Sequence, residues 1–160
     1  MNDEIWGIVY EHSREDYPAE CCGIITEDEK GILAVHRCRN IQDRLHKKDP
    51  VAHQRTSKTA YRMDDMQVHR ILTDTEDAGG KLRGFYHSHI DCDAYFSDED
   101  KRAAVFMDEP AYPGVEYYIV SVICTSLYEV YDTRNHIISP KNVKKMKLND
   151  IFSLKKTTIF

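Results

Sequence analysis

Apolar residues near the start of the chain recur at the spacing of a helix. Ile5, Ile8 and Val9 form one stripe within residues 3–16, with aromatic side chains beside it. Positions three and four apart lie on the same face of a helix, so this stripe predicts an amphipathic α-helix. Asp3, which has a short polar side chain, is the expected N-cap.

Farther along, the apolar residues fall into short runs that predict β-strands. Residues 21–27 and 31–38 are two such runs separated by a charged turn, which predicts a hairpin. Residues 82–90 predict a further strand, and EYYIVSVIC at 116–124 gives the clearest strand of the chain. Residues 128–132 are the expected antiparallel partner of that strand. We find no internal repeat and no low-complexity segment.

A second helix is predicted in the middle of the chain. Asp64 caps the start of a helical pattern over about 65–77, and two glycines close it. Within this pattern, Met66, Ile71 and Leu72 are expected to face inward.

Other parts of the chain carry weaker patterns. Residues 40–60 have few apolar side chains and several bases, which predicts an exposed loop, and loops of this length are commonly functional or mobile. Residues 61–63 are expected to add a short strand. One helix is expected to open at Ser97 and run to about Met107, and another to span about 144–155.

The composition indicates a single globular domain over residues 1–160. Apolar residues make up 41% of the chain and charged residues 31%, which is typical of a folded protein. The net charge of −5 gives no basic surface for nucleic acid. No apolar run has the roughly 20 residues of a membrane-spanning helix, and the acidic N-terminus does not resemble a signal peptide. We therefore expect a cytoplasmic protein with no nucleic-acid or membrane partner.

The five cysteines are an odd number and include no C-x-x-C pair. In a chain without a secretion signal they are expected to be reduced. Cys21 and Cys22 are adjacent, and neighbouring strand side chains point to opposite faces. We interpret the pair as small apolar strand residues rather than as a metal or redox site.

The most specific chemistry lies in the segment HSHIDCDAYFSDED, which has the spacing H-x-H-x7-S-x2-D. His87 and His89 point to one side if they lie on a strand, and Asp100 can return to the same point in space. Two neutral imidazoles, one carboxylate and an open fourth position describe a catalytic zinc site. Ser97 and Asp100 also fit a helix capping box, which needs no metal, and the two interpretations are compatible.

A zinc hydrolase also needs a general base outside the ligand set, because the attacking water must lose a proton. Glu20, within YPAECCG, lies where the first helix has ended and a strand begins. Composition alone does not select this glutamate from the many other acids of the chain.

Taken together, YPAECCG at 17–23, GFYHSH at 84–89 and S-x-x-D at 97–100 resemble the JAMM motif of JAB/MPN-domain zinc metalloproteases, E…H-x-H-x7-S-x2-D. The resemblance, to the stand-alone prokaryotic type, is strongest over residues 1–132 and leaves 133–160 as a C-terminal extension. It implies an α/β fold, a three-layer domain with a mixed curved sheet between helices. Such a domain is related in architecture to cytidine deaminases.

The resemblance also implies a role for each motif residue. His87, His89 and Asp100 would bind one zinc ion, with water as the fourth ligand. Glu20 would accept the proton of that water and later protonate the leaving amine. Ser97 would donate a hydrogen bond to the developing oxyanion.

Members of this family cleave peptide or isopeptide bonds after the C-terminal Gly-Gly of ubiquitin or ubiquitin-like proteins. Prokaryotic relatives act on sulfur-carrier proteins of the same fold. The expected partner is thus a ubiquitin-like or sulfur-carrier protein whose Gly-Gly tail lies extended against the domain, as an added strand. Sulfur-carrier processing is the favoured activity, and deconjugation of a ubiquitin-like protein is the second.

Two residues near the motif depart from the family pattern. Ile90 replaces the common proline after the second histidine and leaves the ligands themselves unchanged. Cys92 lies three residues from a predicted ligand, where a thiol can coordinate zinc or sense oxidants. The alternative is that Cys92 is an ordinary loop cysteine.

Other functions stay open at this point. A non-catalytic MPN scaffold would share the fold, although such relatives usually lack the ligands or the glutamate that this chain retains. A zinc deaminase would carry H-x-E and P-C-x-x-C, neither of which occurs here. The bases of residues 40–60, including Lys47 and Lys48, would either dock an acidic carrier or form a solvated surface.

Overall fold

A five-stranded mixed β-sheet forms the middle of the molecule in the computed structural model, which describes residues 2–122 and the backbone of 143–147. Within this part of the chain the helices are α1 (Asp3–Glu15), α2 (Gln42–Lys48), α3 (Asp65–Asp77) and α4 (Asp98–Ala103). The strands are β1 (Cys22–Glu27), β2 (Leu33–Cys38), β3 (Lys81–Ile90), β4 (Val105–Phe106), β5 (Glu109–Pro110), β6 (Glu116–Val122) and β7 (Val143–Lys147).

The strand order of the sheet is β2-β1-β3-β6-β7. β1 pairs antiparallel with both β2 and β3, β3 pairs parallel with β6, and β6 pairs antiparallel with β7. The short strands β4 and β5 form a separate hairpin. The predicted hairpin is confirmed as β1–β2, and the strands predicted at 82–90 and 116–124 correspond to β3 and β6.

Helix α1 covers one face of the sheet. Its apolar stripe brings Ile5 and Val9 against buried side chains of β1, β3 and β6, among them Ile25, Tyr86 and Val120. Such packing of an apolar helix face is what stabilises a helix of this length in water.

Helices α3 and α4 cover the opposite face. Ile71 of α3 packs on Cys22 and Ile24 of β1. Beside α4, Phe96 and Ala104 pack on Tyr117 and Ile119 of β6. Helices on both sides of a mixed sheet confirm the predicted three-layer α/β fold.

The side chains of the adjacent cysteines lie on opposite faces of the sheet, as the strand periodicity predicts. Cys21 lies in the cluster under α1, whereas Cys22 lies in the cluster under α3, and both are fully buried. Buried Cys38 and exposed Cys92 are also free thiols. Cys124 lies outside the described residues.

Gly23 of the YPAECCG motif makes room for a tyrosine of the neighbouring strand. Gly23 and Tyr86 are paired across β1 and β3, and a Cβ atom on Gly23 would lie 2.3 Å from the Tyr86 ring. The ring instead lies over the strand, and its hydroxyl reaches His12 Nδ1 on α1 at 2.8 Å. The glycine at this position therefore has a packing role.

The helix starts agree only in part with the prediction. Asp64 is the N-cap of α3, as expected, but α1 is capped by Asn2, whose Oδ1 accepts from the Ile5 N–H; the predicted cap Asp3 is the first helical residue. Met66 was expected to face inward and is 75% exposed, because it lies in the first turn of α3, beyond the edge of the core. Among the described helices, none is both long and apolar enough to cross a membrane.

Two further element predictions are wrong. α4 ends at Ala103 rather than near Met107, because the chain turns there into the β4–β5 hairpin, whose loop residues Met107 and Asp108 have positive φ. Residues 144–147 belong to strand β7 and not to a helix, because pairing with β6 overrides the helix preference of Lys and Met. The predicted strand at 128–132 lies outside the described residues.

Residues 40–60 are largely exposed, as their polarity predicts, but they are not simply a loop. They contain α2, and Ile41, Gln42, Ser57 and Ala60 are buried. The short strand expected after this segment reduces to one isolated bridge between Met63 and Asn40. Hydrogen bonds of polar side chains, rather than an apolar stripe, hold the segment on the domain.

Candidate active site

The alternation of β3 places His87 and His89 on the same face of the sheet, near the carboxyl end of the strand. Both side chains are buried, at 3% and 6% exposure. Their Nε2 atoms lie 3.2 Å apart, so the two imidazoles converge as the H-x-H spacing predicts. The third predicted ligand comes from another element.

Asp100 reaches the two histidines from the first turn of α4. Ser97 caps this helix: its hydroxyl accepts from the Asp100 N–H at 3.1 Å, and its own N–H donates to Asp100 Oδ2 at 2.9 Å. Asp100 Oδ1 lies 3.4 Å from His87 Nε2, and Oδ2 lies 3.9 Å from His89 Nε2. The capping box therefore fixes the carboxylate that completes the cluster. Capping the helix and completing a metal site are thus compatible roles for Asp100.

These three side chains form a group that could hold a metal ion. Their ligand atoms lie within 4.8 Å of one another, and all three residues are buried. His89 Nδ1 lies 3.1 Å from the carbonyl oxygen of Asp93. A carbonyl only accepts, so Nδ1 carries a proton, and the neutral ring would present the lone pair of Nε2 to the cluster.

His87 is also suited to metal binding. Burial lowers its pKa to about 4, with the opposing pull of Asp100 too weak to cancel that effect, so the imidazole is neutral near pH 7. Tyr61 stacks on the ring, with centroids 4.4 Å apart and planes inclined by 23°. Two neutral imidazoles and one carboxylate fit the donor set of a catalytic zinc site.

Glu20 lies two residues before the start of β1 and lines the same cleft as His89, Ser97 and Asp100. Its side chain is almost wholly buried, at 6% exposure. Burial raises the pKa of Glu20 to about 8, the positive charge of Arg55 opposes this shift, and nearby acids add to it. A carboxyl group with a pKa near neutrality is typical of a general acid or base.

Ser97 is committed to Asp100 in the structure. Besides its capping contacts, its hydroxyl donates to Asp100 Oδ2 at 2.5 Å. Both bonds from Ser97 thus end on Oδ2, whereas Oδ1 is the carboxylate oxygen closer to His87. An oxyanion contact from Ser97 requires its O–H to turn away from Asp100.

Cys92 lies in the same cleft, which has a volume of about 940 Å³. Its side chain is exposed, and its pKa is raised by partial burial and then by the carboxylates of Glu20, Asp93 and Asp91. Both zinc coordination and oxidant sensing need the thiolate form of Cys92, which the partial burial and the neighbouring carboxylates disfavour. Among the described residues, the metal-binding group does not include Cys92.

Three neighbours of the site were not identified from the sequence. Tyr61 stacks on one histidine, and Tyr95 approaches His89 edge-on, with centroids 4.8 Å apart. Arg55 lies in the segment for which the sequence predicts a loop. No spacing or motif marks these positions, because each reaches the site through the folding of a different segment.

The chain matches the family model described as prokaryotic homologues of the JAB domain, over residues 3–135. It is 31% identical to a desampylase of Haloferax volcanii over 119 residues, which are 71% of this chain and 73% of that protein. It is 29% identical to the CysO-cysteine peptidases of Mycobacterium bovis and Mycobacterium tuberculosis, over 69% of this chain and 64% of theirs, just under two thirds.

Among solved structures, a Desulfitobacterium hafniense protein determined in solution superposes with a TM-score of 0.56 at 20% identity, covering 91% of this chain and 88% of that one. This likeness supports the fold. The family match covers most of the chain, includes every residue of the motif, and supports the predicted class of JAMM-type hydrolase. The chain belongs to the prokaryotic homologues of the JAB domain.

Proposed function

We propose that this protein is a zinc-dependent peptidase that cleaves after the C-terminal Gly-Gly of a ubiquitin-like or sulfur-carrier protein. The observation that carries the proposal is the convergence of His87, His89 and Asp100. The last two of these line a cleft that Glu20 and Ser97 also line. A non-catalytic scaffold has no need for this arrangement. The buried glutamate beside the cluster supports a hydrolase in particular.

The three ligands would hold the ion, and the remaining residues would handle protons and charge. A bound zinc ion supplies Lewis acidity, which polarises the scissile carbonyl and makes water easier to deprotonate. Glu20 takes a proton from the attacking water and delivers it to the leaving nitrogen. A pKa of about 8 in the metal-free chain suits the delivery, and the charge of a bound zinc ion would favour the carboxylate form that accepts the proton.

Ser97 is assigned two tasks in this proposal. Its backbone N–H and hydroxyl hold Asp100 in the ligand position. During the reaction the hydroxyl turns its proton toward the developing oxyanion and stabilises it by a hydrogen bond. The backbone N–H keeps Asp100 in place while this happens.

Processing of a sulfur carrier is the favoured activity, in which a single amino acid leaves after Gly-Gly. The CysO-cysteine peptidases among the relatives support it. Deconjugation of a ubiquitin-like protein is the second candidate, and the desampylase, the relative at 31% identity, favours it. The two activities differ in the leaving group and share the cleavage chemistry.

The test is mass spectrometry of a panel of small ubiquitin-like proteins that end in Gly-Gly plus one residue. After incubation with the zinc-loaded protein, we expect the loss of that residue and a product that ends at Gly-Gly. The same panel with Glu20→Gln, also zinc-loaded, is the control and should stay intact. A wild-type protein that binds zinc and leaves every panel member intact would overturn the proposal.

A further inference from the structure

Residues 40–60 form a fixed wall of the cleft that is joined to Glu20 by hydrogen bonds in both directions. The Glu20 N–H donates to Ser57 O at 2.7 Å, and the Asn40 amide donates to Glu20 O at 2.9 Å. The N–H and the hydroxyl of Ser57 both donate to the Asp43 carboxylate, at 2.6 and 2.7 Å. The turn around Ser57 is therefore held in place beside the proposed proton carrier.

Arg55 is positioned by the same network. Gln42 Nε2 donates to Arg55 O at 2.7 Å, which fixes the backbone. The guanidinium donates through one nitrogen to the Glu99 carboxylate and through the other to Thr59 O, and its side chain lines the cleft. The side chains of Arg55 and Glu99 are about half exposed, at 48% and 54%, so their ion pair contributes little energy. It orients the guanidinium and can be exchanged for a bond to a ligand.

The position of Arg55 relative to Glu20 indicates what the guanidinium can meet. Arg55 is close enough to favour the ionised form of Glu20. In the proposed reaction Glu20 delivers a proton to the leaving nitrogen, so the leaving group lies beside Glu20, in the cleft that Arg55 also lines. A leaving amino acid carries its α-carboxylate two bonds from that nitrogen, whereas the side-chain nitrogen of an isopeptide-linked lysine has no carboxylate there.

We propose that Arg55 binds the α-carboxylate of the leaving amino acid and thereby selects carriers extended by one residue over isopeptide conjugates. This proposal rests on the proposed function and adds the chemical class of the leaving group. A guanidinium presents five N–H donors in a planar fork that matches a carboxylate, and such charge-assisted bonds are the strong ones.

The reaction balances without a further reactant. Water adds its hydroxyl to the carbonyl carbon of the last glycine, and the bond from that carbon to the leaving nitrogen breaks. The proton of the water passes through Glu20 to the nitrogen. The products are a carrier that ends in a Gly-Gly carboxylate and a free amino acid, whose carboxylate stays on Arg55 until it dissociates.

The experiment uses the panel protein that turns over fastest, prepared by semisynthesis to end in Gly-Gly-Ala with either a free carboxylate or a carboxamide. The two substrates differ only in the group that Arg55 is proposed to bind. We expect the zinc-loaded wild type to cleave the acid about tenfold to a hundredfold better than the amide, as kcat/KM. Arg55→Gln should bring that ratio close to one.

Two variants complete the design. Arg44→Gln is the matched control, because Arg44 is an exposed arginine on α2 that is paired with Asp64 and does not line the cleft; it should keep the wild-type ratio. Arg55→Lys keeps the charge and loses the fork, so an intermediate ratio is expected, and it replaces Arg55→Gln should that variant not fold. Arg55 also acts on Glu20, and this effect changes the cleavage of the acid and of the amide equally. The ratio of their kcat/KM values therefore reports only the binding of the carboxylate.

The outcomes distinguish this proposal from the one on which it rests. Equal cleavage of acid and amide by the wild type, or an unchanged ratio in Arg55→Gln, would overturn the role of Arg55 and leave the peptidase standing. No cleavage of any panel protein would overturn the proposed function itself, and the role of Arg55 with it.

Discussion

The two faces of strand β3 carry buried polar side chains of opposite character. On the α1 side, Tyr86 bonds to His12 Nδ1 at 2.8 Å, and Ser88 Oγ accepts from the Cys21 N–H at 2.8 Å. On the cleft side, His87 and His89 turn their Nε2 atoms toward each other, 3.2 Å apart. Polar groups that each have a separate partner stabilise a fold, whereas polar groups that converge on one point form a site.

The two faces also differ in where their polar contacts lead. Behind Tyr86, His12 Nε2 lies 3.3 Å from Asp16, so the chain of contacts ends on a partly exposed carboxylate at the C-cap of α1. In front of the histidines lies a cleft of about 940 Å³ that contains Glu20 and Asp100. Changes on the first face are therefore expected to affect stability, and changes on the second face to affect metal binding and turnover.

The largest expected effect comes from removing a predicted ligand. His89→Ala should lower zinc from one ion per chain to none and reduce cleavage by at least about a thousandfold, because two donors no longer define the site. Metal analysis of the purified variant, together with the panel assay, measures both. Full zinc content in His89→Ala would show that His89 is not a zinc ligand.

Glu20→Gln should come next in size and affect only turnover. Loss of a general acid–base is expected to slow cleavage by about a hundredfold to ten-thousandfold. Zinc content should stay at one ion per chain, because Glu20 is outside the ligand group. A variant that loses its zinc would show that Glu20 supports the ligands instead.

The same substitution should stabilise the metal-free fold in alkaline solution. The pKa of Glu20 is raised from 4.5 to about 8, so the folded state holds this proton more tightly than the unfolded state. The unfolding free energy of the wild type should therefore fall as the pH rises from about 4.5 to 8, by roughly 2 to 4 kcal/mol. Denaturant titrations at pH 5 and pH 8 should show this loss of unfolding free energy in the wild type and little of it in Glu20→Gln. An equal change in unfolding free energy between the two pH values for both proteins would contradict the prediction.

Ser97→Ala is expected to lower both the stability of the fold and its zinc affinity moderately. The loss of the cap should cost about 1 kcal/mol of stability. Without the bond to Asp100 Oδ2, zinc affinity should fall by about tenfold to a hundredfold. Zinc titration by calorimetry checks the second effect, and an unchanged affinity would show that the Ser97 hydroxyl does not support Asp100 as a ligand.

Tyr86→Phe tests the opposite face and should affect stability alone. It removes the hydroxyl that His12 pairs with and is expected to cost about 1 to 3 kcal/mol, because buried His12 loses a partner. Zinc affinity and kcat should match those of the wild type. A large fall in zinc affinity would show that the two faces of β3 are coupled.

The smallest effect is expected on the exposed surface of α2. Charge reversal at Lys47 and Lys48 should slow cleavage of an acidic carrier by a few fold at low salt, and the difference should shrink as salt is added. Identical rates for wild type and variant at low salt would assign these lysines to a solvated surface.

The group that could hold a metal ion could be predicted from the sequence because it follows from local rules. Alternation along a strand places His87 and His89 on one side, and the capping box fixes Asp100 relative to Ser97. Glu20 lies sixty-seven residues before His87, so its position depends on the pairing of β1 with β3, and only the family motif identified it.

The remaining features depend on contacts that leave no periodic signal. The sequence predicts a loop at residues 40–60 because the buried groups of this segment are amides and hydroxyls, which pair with carbonyls and carboxylates and form no apolar stripe. It predicts a helix at residues 144–147 because lysine and methionine favour one, whereas pairing with β6 makes them a strand. In both cases tertiary hydrogen bonds override local preference.

A zinc titration of activity decides whether the cleft face of β3 holds a catalytic zinc ion. The chelated protein is mixed with increasing zinc, and removal of the residue after Gly-Gly is followed by mass spectrometry. We expect the rate to rise from near zero and to level off at one equivalent in the wild type, with no rise in His89→Ala. Full activity in the chelated wild type, or an equal rise in His89→Ala, would contradict it.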